Sequence, residues 1–261
     1  GLSPAVGMFT TTPFFMTANY ALTPMPLFVF MAALSLAGGI SPEMYDAAEK
    51  WLGRLPGGLG IATTIACTVF GMLSGSALVV AAMFTKISVP EMTRYNWNRG
   101  FAHGLTCSSS VIGMLIPPSI VAILYGIIAE ESIGKLFAAG VGPGLVTALA
   151  FSLLIAFRVK RSPRLAPPHE EIYSMSEKVR SLRGVGPIMI VAVVMLAGIF
   201  TGLFTVTEGA SIGVIGTLIV LIAMKRMSRK VFLDSSDAIK GTLSAFLGLL
   251  LGATAFSRFT A

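Results

Sequence analysis

The sequence predicts an all-α, polytopic membrane protein, and three observations carry that expectation. Hydrophobic residues make up 54% of the 261 positions, only 12% are charged, and the mean hydropathy is +0.82. A water-soluble domain carries about a quarter charged residues, so much of this surface must face lipid. The apolar residues fall in long runs, and about 20 of them suffice for one bilayer crossing. The length leaves room for about six to eight such segments. Finally, the net charge of +7 (19 Lys+Arg against 12 Asp+Glu) is concentrated in a few connecting loops. That distribution reads as topology under the positive-inside rule, since a nucleic-acid binder needs a continuous basic surface.

Residues 1–12 lead in without a clear period, and an apolar stretch runs from Pro13 to Gly39. Pro24 and Pro26 predict a helix starting near Pro26, because proline suits a first helical turn. Ser41–Leu55 is amphipathic, with Ser41 as N-cap, Pro42 at the first helical position and Lys50 and Arg54 late. Residues 1–55 are thus expected to form a scaffold segment with one transmembrane helix and a short amphipathic helix.

The stretch Pro56–Pro90 is apolar but interrupted by Gly71 and by Ser74-Gly75-Ser76. Its arms, of about 15 and about 11 residues, span only about 22 and 16 Å as helix. Neither crosses roughly 30 Å of hydrocarbon. Lys50 and Arg54 precede it and Lys86, Arg94 and Arg99 follow, so both ends lie on the cytoplasmic side. The expected structure is a re-entrant helical hairpin with its Ser-Gly-Ser tip near the membrane midplane. Phe101–Ala129 is broken by Ser108-Ser109-Ser110, Gly113 and Pro117-Pro118-Ser119, which predicts a discontinuous helix. A short helix over Ser132–Ala139 then leads to Gly140, Gly142, Pro143 and Gly144, and residues 56–144 hold both breaks.

Residues 145–261 are expected to supply further transmembrane helices. Leu145–Phe157 returns to a polar cytoplasmic loop, 158–183, with seven basic and three acidic residues. Pro187–Thr205 crosses outward, Thr207-Glu208-Gly209 turns, and Ala210–Met224 crosses back to Lys225, Arg226, Arg229 and Lys230. Asp234–Lys240 is amphipathic and interfacial, and Gly241–Phe256 opens another apolar segment. Cys67 and Cys107 lie in apolar stretches and are expected to be reduced, packed thiols. The chain starts with Gly and shows no signal peptide, so it reads as a fragment.

Irregular backbone at bilayer depth is tolerated only where protein buries it or water fills a cavity. The two breaks are therefore expected to meet. Carbonyls freed at a helix end coordinate a cation, and amides at half-helix N-termini favour an anion. Hydroxyls at Ser74, Ser76, Ser108, Ser109, Ser110 and Ser119 add neutral oxygens, a set suited to Na⁺ beside an anionic solute and unsuited to transition metals. The opposing reading is that Ser and Gly simply allow close helix packing in lipid. His103 reads as a capping or packing residue, Glu208 as a turn or helix-start charge, and Lys86 as a side chain snorkelling to the interface. No Ser-His-Asp or Cys-His group, P-loop or paired intramembrane carboxylates is present, so no enzyme activity and no organic cofactor are expected.

Ser74-Gly-Ser-Ala77, Pro90-Glu-Met92, Ser109-Ser110, Gly113, Ile116-Pro-Pro-Ser119, Tyr125-Gly126, Ser132-Ile-Gly134 and Pro143-Gly144 resemble, in order and spacing, the large membrane subunit of TRAP transporters, the tripartite ATP-independent periplasmic systems. The resemblance runs from about Pro13 to Phe256. It implies a Na⁺-driven secondary importer of carboxylates in the bacterial inner membrane, moving its transport domain like an elevator. It also implies a periplasmic solute-binding protein and a small four-helix membrane subunit as partners. Carried over, Ser74, Gly75, Ser76, Ser109, Ser110, Gly113, Pro117, Pro118 and Ser119 bind ion and solute, with Na⁺ at Ser74, Ser76, Ser109 and Ser110. Asn96-Trp97 stands where the family usually has Gly-Tyr, and Val111 where Thr is common. The inverted second repeat is not in this sequence, so the chain is expected to be truncated at both ends and unable to transport alone. Two other readings stay open here: a related Na⁺/carboxylate symporter that needs no binding protein, and a non-transporting membrane scaffold.

Overall fold

The computed structural model describes residues 20–167 and 173–260; the lead-in over residues 1–12, Pro13 and part of the loop 158–183 lie outside the described residues. Among those described there are ten α-helices and no strand. In chain order they are α1 (Pro24–Ala37), α2 (Ile40–Leu52), α3 (Gly58–Ser74), α4 (Ala77–Arg94) and α5 (Arg99–Ile112), then α6 (Ile120–Ile128), α7 (Ile133–Arg161), α8 (Met175–Phe200), α9 (Val206–Ala223) and α10 (Arg229–Thr260). Helices α7, α8 and α9 are each long and apolar enough to cross a bilayer, and α1 with α2 makes up to four spans. Six to eight was too many for the described residues. The chain spends them instead on arms too short to cross alone and on helices longer than a crossing needs.

α1 starts at Pro24, and α2 leaves it at 71°. The bend falls at Gly38–Gly39, where Gly39 has φ +73° and occupies the N-cap position of α2. The expected N-cap, Ser41, instead lies inside the first turn, buried, with no partner for its hydroxyl. α2 packs across α3 and α8. Its Glu43 forms an ion pair with Arg226, in the connection between α9 and α10. That hydrogen bond raises the guanidinium pKa further above its ordinary value.

α3 and α4 fold back on each other as a hairpin. The Phe70 and Phe84 rings, one on each arm, meet edge-on at 6.0 Å between centroids. α5 ends at Ile112, seven irregular residues follow, and α6 resumes at Ile120. Asn98 caps α5 by accepting the Phe101 amide at 3.0 Å, so His103, which is exposed, neither caps nor packs.

Four boundaries differ from expectation. α7 is one helix of 29 residues, not a short helix, a glycine-rich link and a second helix. Gly140 and Gly144 are packing positions: a Cβ would come within 2.6 Å of the Leu115 carbonyl oxygen and 2.3 Å of the Ile116 side chain. α8 begins at Met175, well before Pro187, because Ser174 and Glu177 close a capping box. The turn to α9 lies at 201–205, and Thr205 and Glu208 form a second capping box, so Glu208 is a helix-start charge. The interfacial segment and the last apolar stretch merge into the continuous helix α10.

The main core gathers Phe28, Met31 and Leu34 of α1 with Phe70 of α3, Ile188 of α8 and Leu221 of α9. A second cluster, Leu59, Met92, Trp97, Ala102, Leu105 and Ile155, ties the hairpin base to α5 and α7. Cys67 is buried as expected, whereas Cys107 is a free, exposed thiol. It lies beside Ser108 on the face of α5 turned away from the hairpin.

Candidate functional site

The site is built where α3 and α5 end. Gly71 and Gly113 bring these helices into backbone contact: a Cβ on Gly71 would lie 2.1 Å from the Gly113 Cα. Just beyond that crossing α3 stops. Gly75 takes φ +61° and its amide donates to the Gly71 carbonyl at 2.8 Å. The Ile120 amide, first in α6, then donates to the Gly75 carbonyl at 3.2 Å. A Cβ on Gly75 would sit 2.7 Å from the Pro118 carbonyl oxygen. The two breaks thus meet, hydrogen-bonded through backbone.

Four helix ends converge at this junction. Carbonyls at the C-terminal end of α3 and amides at the N-terminal ends of α4 and α6 lack intrahelical partners, whereas the last carbonyls of α5, those of Ser110, Val111 and Ile112, accept amides of the break itself. Among the described residues the carbonyls of Met72, Leu73 and Ser74 receive no backbone amide. Ser119 satisfies part of the α6 end by accepting the Ala122 amide at 3.3 Å. Ser76 occupies the N-cap position of α4 in extended conformation without a side-chain cap bond.

The structure groups some of the sequence-predicted residues and separates others. Ser74, Gly75 and Ser76 adjoin Pro118 and Ser119 at the junction. Ser74 and Ser76 also border a cavity of about 300 Å³ between α1, α4 and α10, whose wall includes Ala32, Lys86 and Thr242. Ser109 and Ser110 do not line this cavity. Ser109 lies about one turn before Gly113, its hydroxyl 2.9 Å from that of Thr64 on α3. Thr64 already donates to the Gly60 carbonyl at 3.0 Å, so Ser109 is the donor and keeps its lone pairs. Ser110 donates to the Cys107 carbonyl at 2.7 Å, and Ser108 is exposed on the opposite face. The proposed sodium ligands therefore fall in two sets, Ser74 with Ser76 and Ser109 with Ser110.

Sequence reasoning missed Thr64 and the pairing of Ser88 with Thr106 at 3.2 Å between α4 and α5. Gly60, Thr64, Cys67 and Gly71, spaced three and four apart on α3, would have marked the stripe that faces α5. No group of three or more His, Cys, Asp or Glu side chains that could hold a metal occurs among the described residues. Oxygen donors without clustered carboxylates suit a monovalent cation better than a transition metal.

The model of the "Tripartite ATP-independent periplasmic transporter, DctM component" family matches residues 4–260. The chain belongs to this family. It is 35% identical over 240 residues to the C4-dicarboxylate TRAP transporter large permease protein DctM of Pseudomonas aeruginosa, covering 89% of this chain and 54% of that protein. It is 29% identical to the sialic acid TRAP transporter large permease protein SiaM of Vibrio cholerae, over 91% of this chain and 55% of the relative. The ectoine/5-hydroxyectoine large permease protein UehC of Ruegeria pomeroyi is 32% identical, over 90% and 54%. The chain thus spans about half the length of the curated relatives it matches. These relatives are permease proteins rather than enzymes, and membership of the family places this chain in the bacterial inner membrane.

Proposed function

We propose that this DctM-family chain supplies one half of the ion and solute site of a Na⁺-coupled carboxylate importer. The observation that carries the reading is the junction of the two breaks, bonded from Ile120 to Gly75, beside the cavity bordered by Ser74 and Ser76. The freed carbonyls at the end of α3 with the lone pairs of Ser74 and Ser76 are one set of sodium ligands, Ser109 and Ser110 are a second, and the amide ends of α4 and α6 face the carboxylate. Gly113, Pro117, Pro118 and Ser119 hold the second break open for that purpose. The solute arrives on a periplasmic binding protein, and a small membrane subunit braces the permease. One relative is the isethionate permease protein DctMQ of Oleidesulfovibrio alaskensis, which this chain matches over 37% of its length.

The test is uptake of a radiolabelled C4-dicarboxylate into proteoliposomes by a full-length transporter carrying this segment, with its binding protein present. Uptake is expected to require a sodium gradient, and Ser74→Leu should abolish it while membrane insertion stays intact. Sodium-independent uptake, or uptake unchanged in the variant, would remove the assignment.

A further inference from the structure

A second cavity, of about 350 Å³, runs between α5 and α7 on the side away from the hairpin. Phe101, Leu105, Phe151, Leu154 and Ile155 make it apolar, and Gly100 and Gly104 leave it open. A glycine inside a helix costs about 1 kcal/mol relative to alanine. Neither glycine is required by protein packing: a Cβ on Gly104 would meet nothing within 4 Å, and one on Gly100 only the Asn98 side chain at 3.3 Å. Gly71, Gly113, Gly140 and Gly144 differ, since each abuts another segment of the chain. What Gly100 and Gly104 provide is the groove itself, which from Gly100 to Ser108 is about 12 Å long.

One end of the groove is basic. Arg158 lines it and directly follows Phe157, the last of the exposed apolar residues of α7. Its guanidinium therefore follows the end of the exposed apolar band of α7. Arg99 opens α5 next to Gly100, and Arg161 closes α7. The Asn98 amide donates to the Leu165 carbonyl at 2.9 Å, tying these two chain segments together at the same corner. Among the described residues no acidic side chain pairs with Arg99, Arg158 or Arg161. By the distribution of basic loops this end faces the cytoplasm, whose leaflet is rich in anionic lipid.

We propose that this groove holds an acyl chain of an anionic phospholipid of the inner leaflet, with the lipid phosphate against Arg158 and Arg99. Apolar walls receive the chain and unpaired arginines receive the charge. The occupant is a lipid rather than a free anion because the arginines stand at the mouth of an otherwise apolar slot.

The experiment is native mass spectrometry of the delipidated full chain offered phosphatidylglycerol or phosphatidylcholine. The wild type is expected to retain one phosphatidylglycerol in preference to phosphatidylcholine. Arg158→Gln should cut that preference about fivefold, the contribution of one basic residue at an anionic surface. Gly104→Leu should displace both lipids while the melting temperature of the lipid-free protein holds, since nothing lies within 4 Å of the added Cβ. Equal retention of the two lipids, an unchanged preference in Arg158→Gln, or full retention by a folded Gly104→Leu would overturn the proposal. So would efficient cross-linking of Gly104→Cys to another protein chain in native membranes.

Discussion

At Gly75 two independent requirements fall on one residue: a φ of +61° that ends α3 and an approach to the Pro118 carbonyl that leaves no room for a Cβ. Gly75→Ala should cost about 1–2 kcal/mol for the left-handed backbone and a further 1–3 kcal/mol, roughly, for displacing α6. A fluorescence melt in detergent should show a clear fall in transition temperature; an unchanged melt would mean that the junction is looser than drawn. Asn96 offers the opposite case. The Trp97 amide donates to the Met92 carbonyl and the Asn96 amide to the Thr93 carbonyl, both at 3.0 Å, the bonding of a Schellman close with Asn96 at φ +60°. Asn96→Gly should raise the melting temperature slightly, by up to about 1 kcal/mol in stability. Asn96→Val should lower it, and the reverse order would refute this account. At this scale the sequence showed that the glycines matter but not how. Gly71 and Gly113 read as interruptions, and only the neighbouring helix reveals them as a crossing point.

Among the elements, the re-entrant hairpin and the broken helix were the most legible, because Ser-Gly-Ser and Pro-Pro-Ser cannot continue a helix through lipid. α7 and α10 were read as two pieces each, since a glycine or a charge inside an apolar run looks the same whether it ends a helix or faces a neighbour. What holds α3, α4 and α5 together was not legible either: Thr64 with Ser109, and Ser88 with Thr106, join hydroxyls from separate helices. Thr64 accepts from Ser109 and keeps its own bond to the Gly60 carbonyl, so Thr64→Val leaves the buried Ser109 donor unsatisfied at about 1–3 kcal/mol, whereas removing both hydroxyls comes closer to neutral. Thr64→Val should therefore be more destabilising in the melt than the double variant Thr64→Val with Ser109→Ala. Additive losses would show that the two hydroxyls act independently.

For the whole molecule, the basic loops predict the orientation. Cysteines introduced at Lys160 and Arg229 should react with an impermeant maleimide only from the cytoplasmic side, and one at Leu203, in the turn between α8 and α9, only from the opposite side. Labelling of Leu203→Cys and Lys160→Cys from the same side would dismantle the topology and the lipid-leaflet assignment with it. Composition and run length determined by themselves that this is a helical membrane protein, and the Ser-Gly-Ser and Pro-Pro-Ser runs that helices break at residues 74–76 and 117–119. These properties depend on transfer of each segment between water and lipid, which is local in sequence. Tertiary structure alone decided that Gly75 touches Pro118, that Ser109 reaches Thr64 while Ser74 opens to a cavity, and that Gly140 and Gly144 lie inside an unbroken helix. Those outcomes depend on which atoms come within contact distance across helices, and spacing along a single chain does not carry that information.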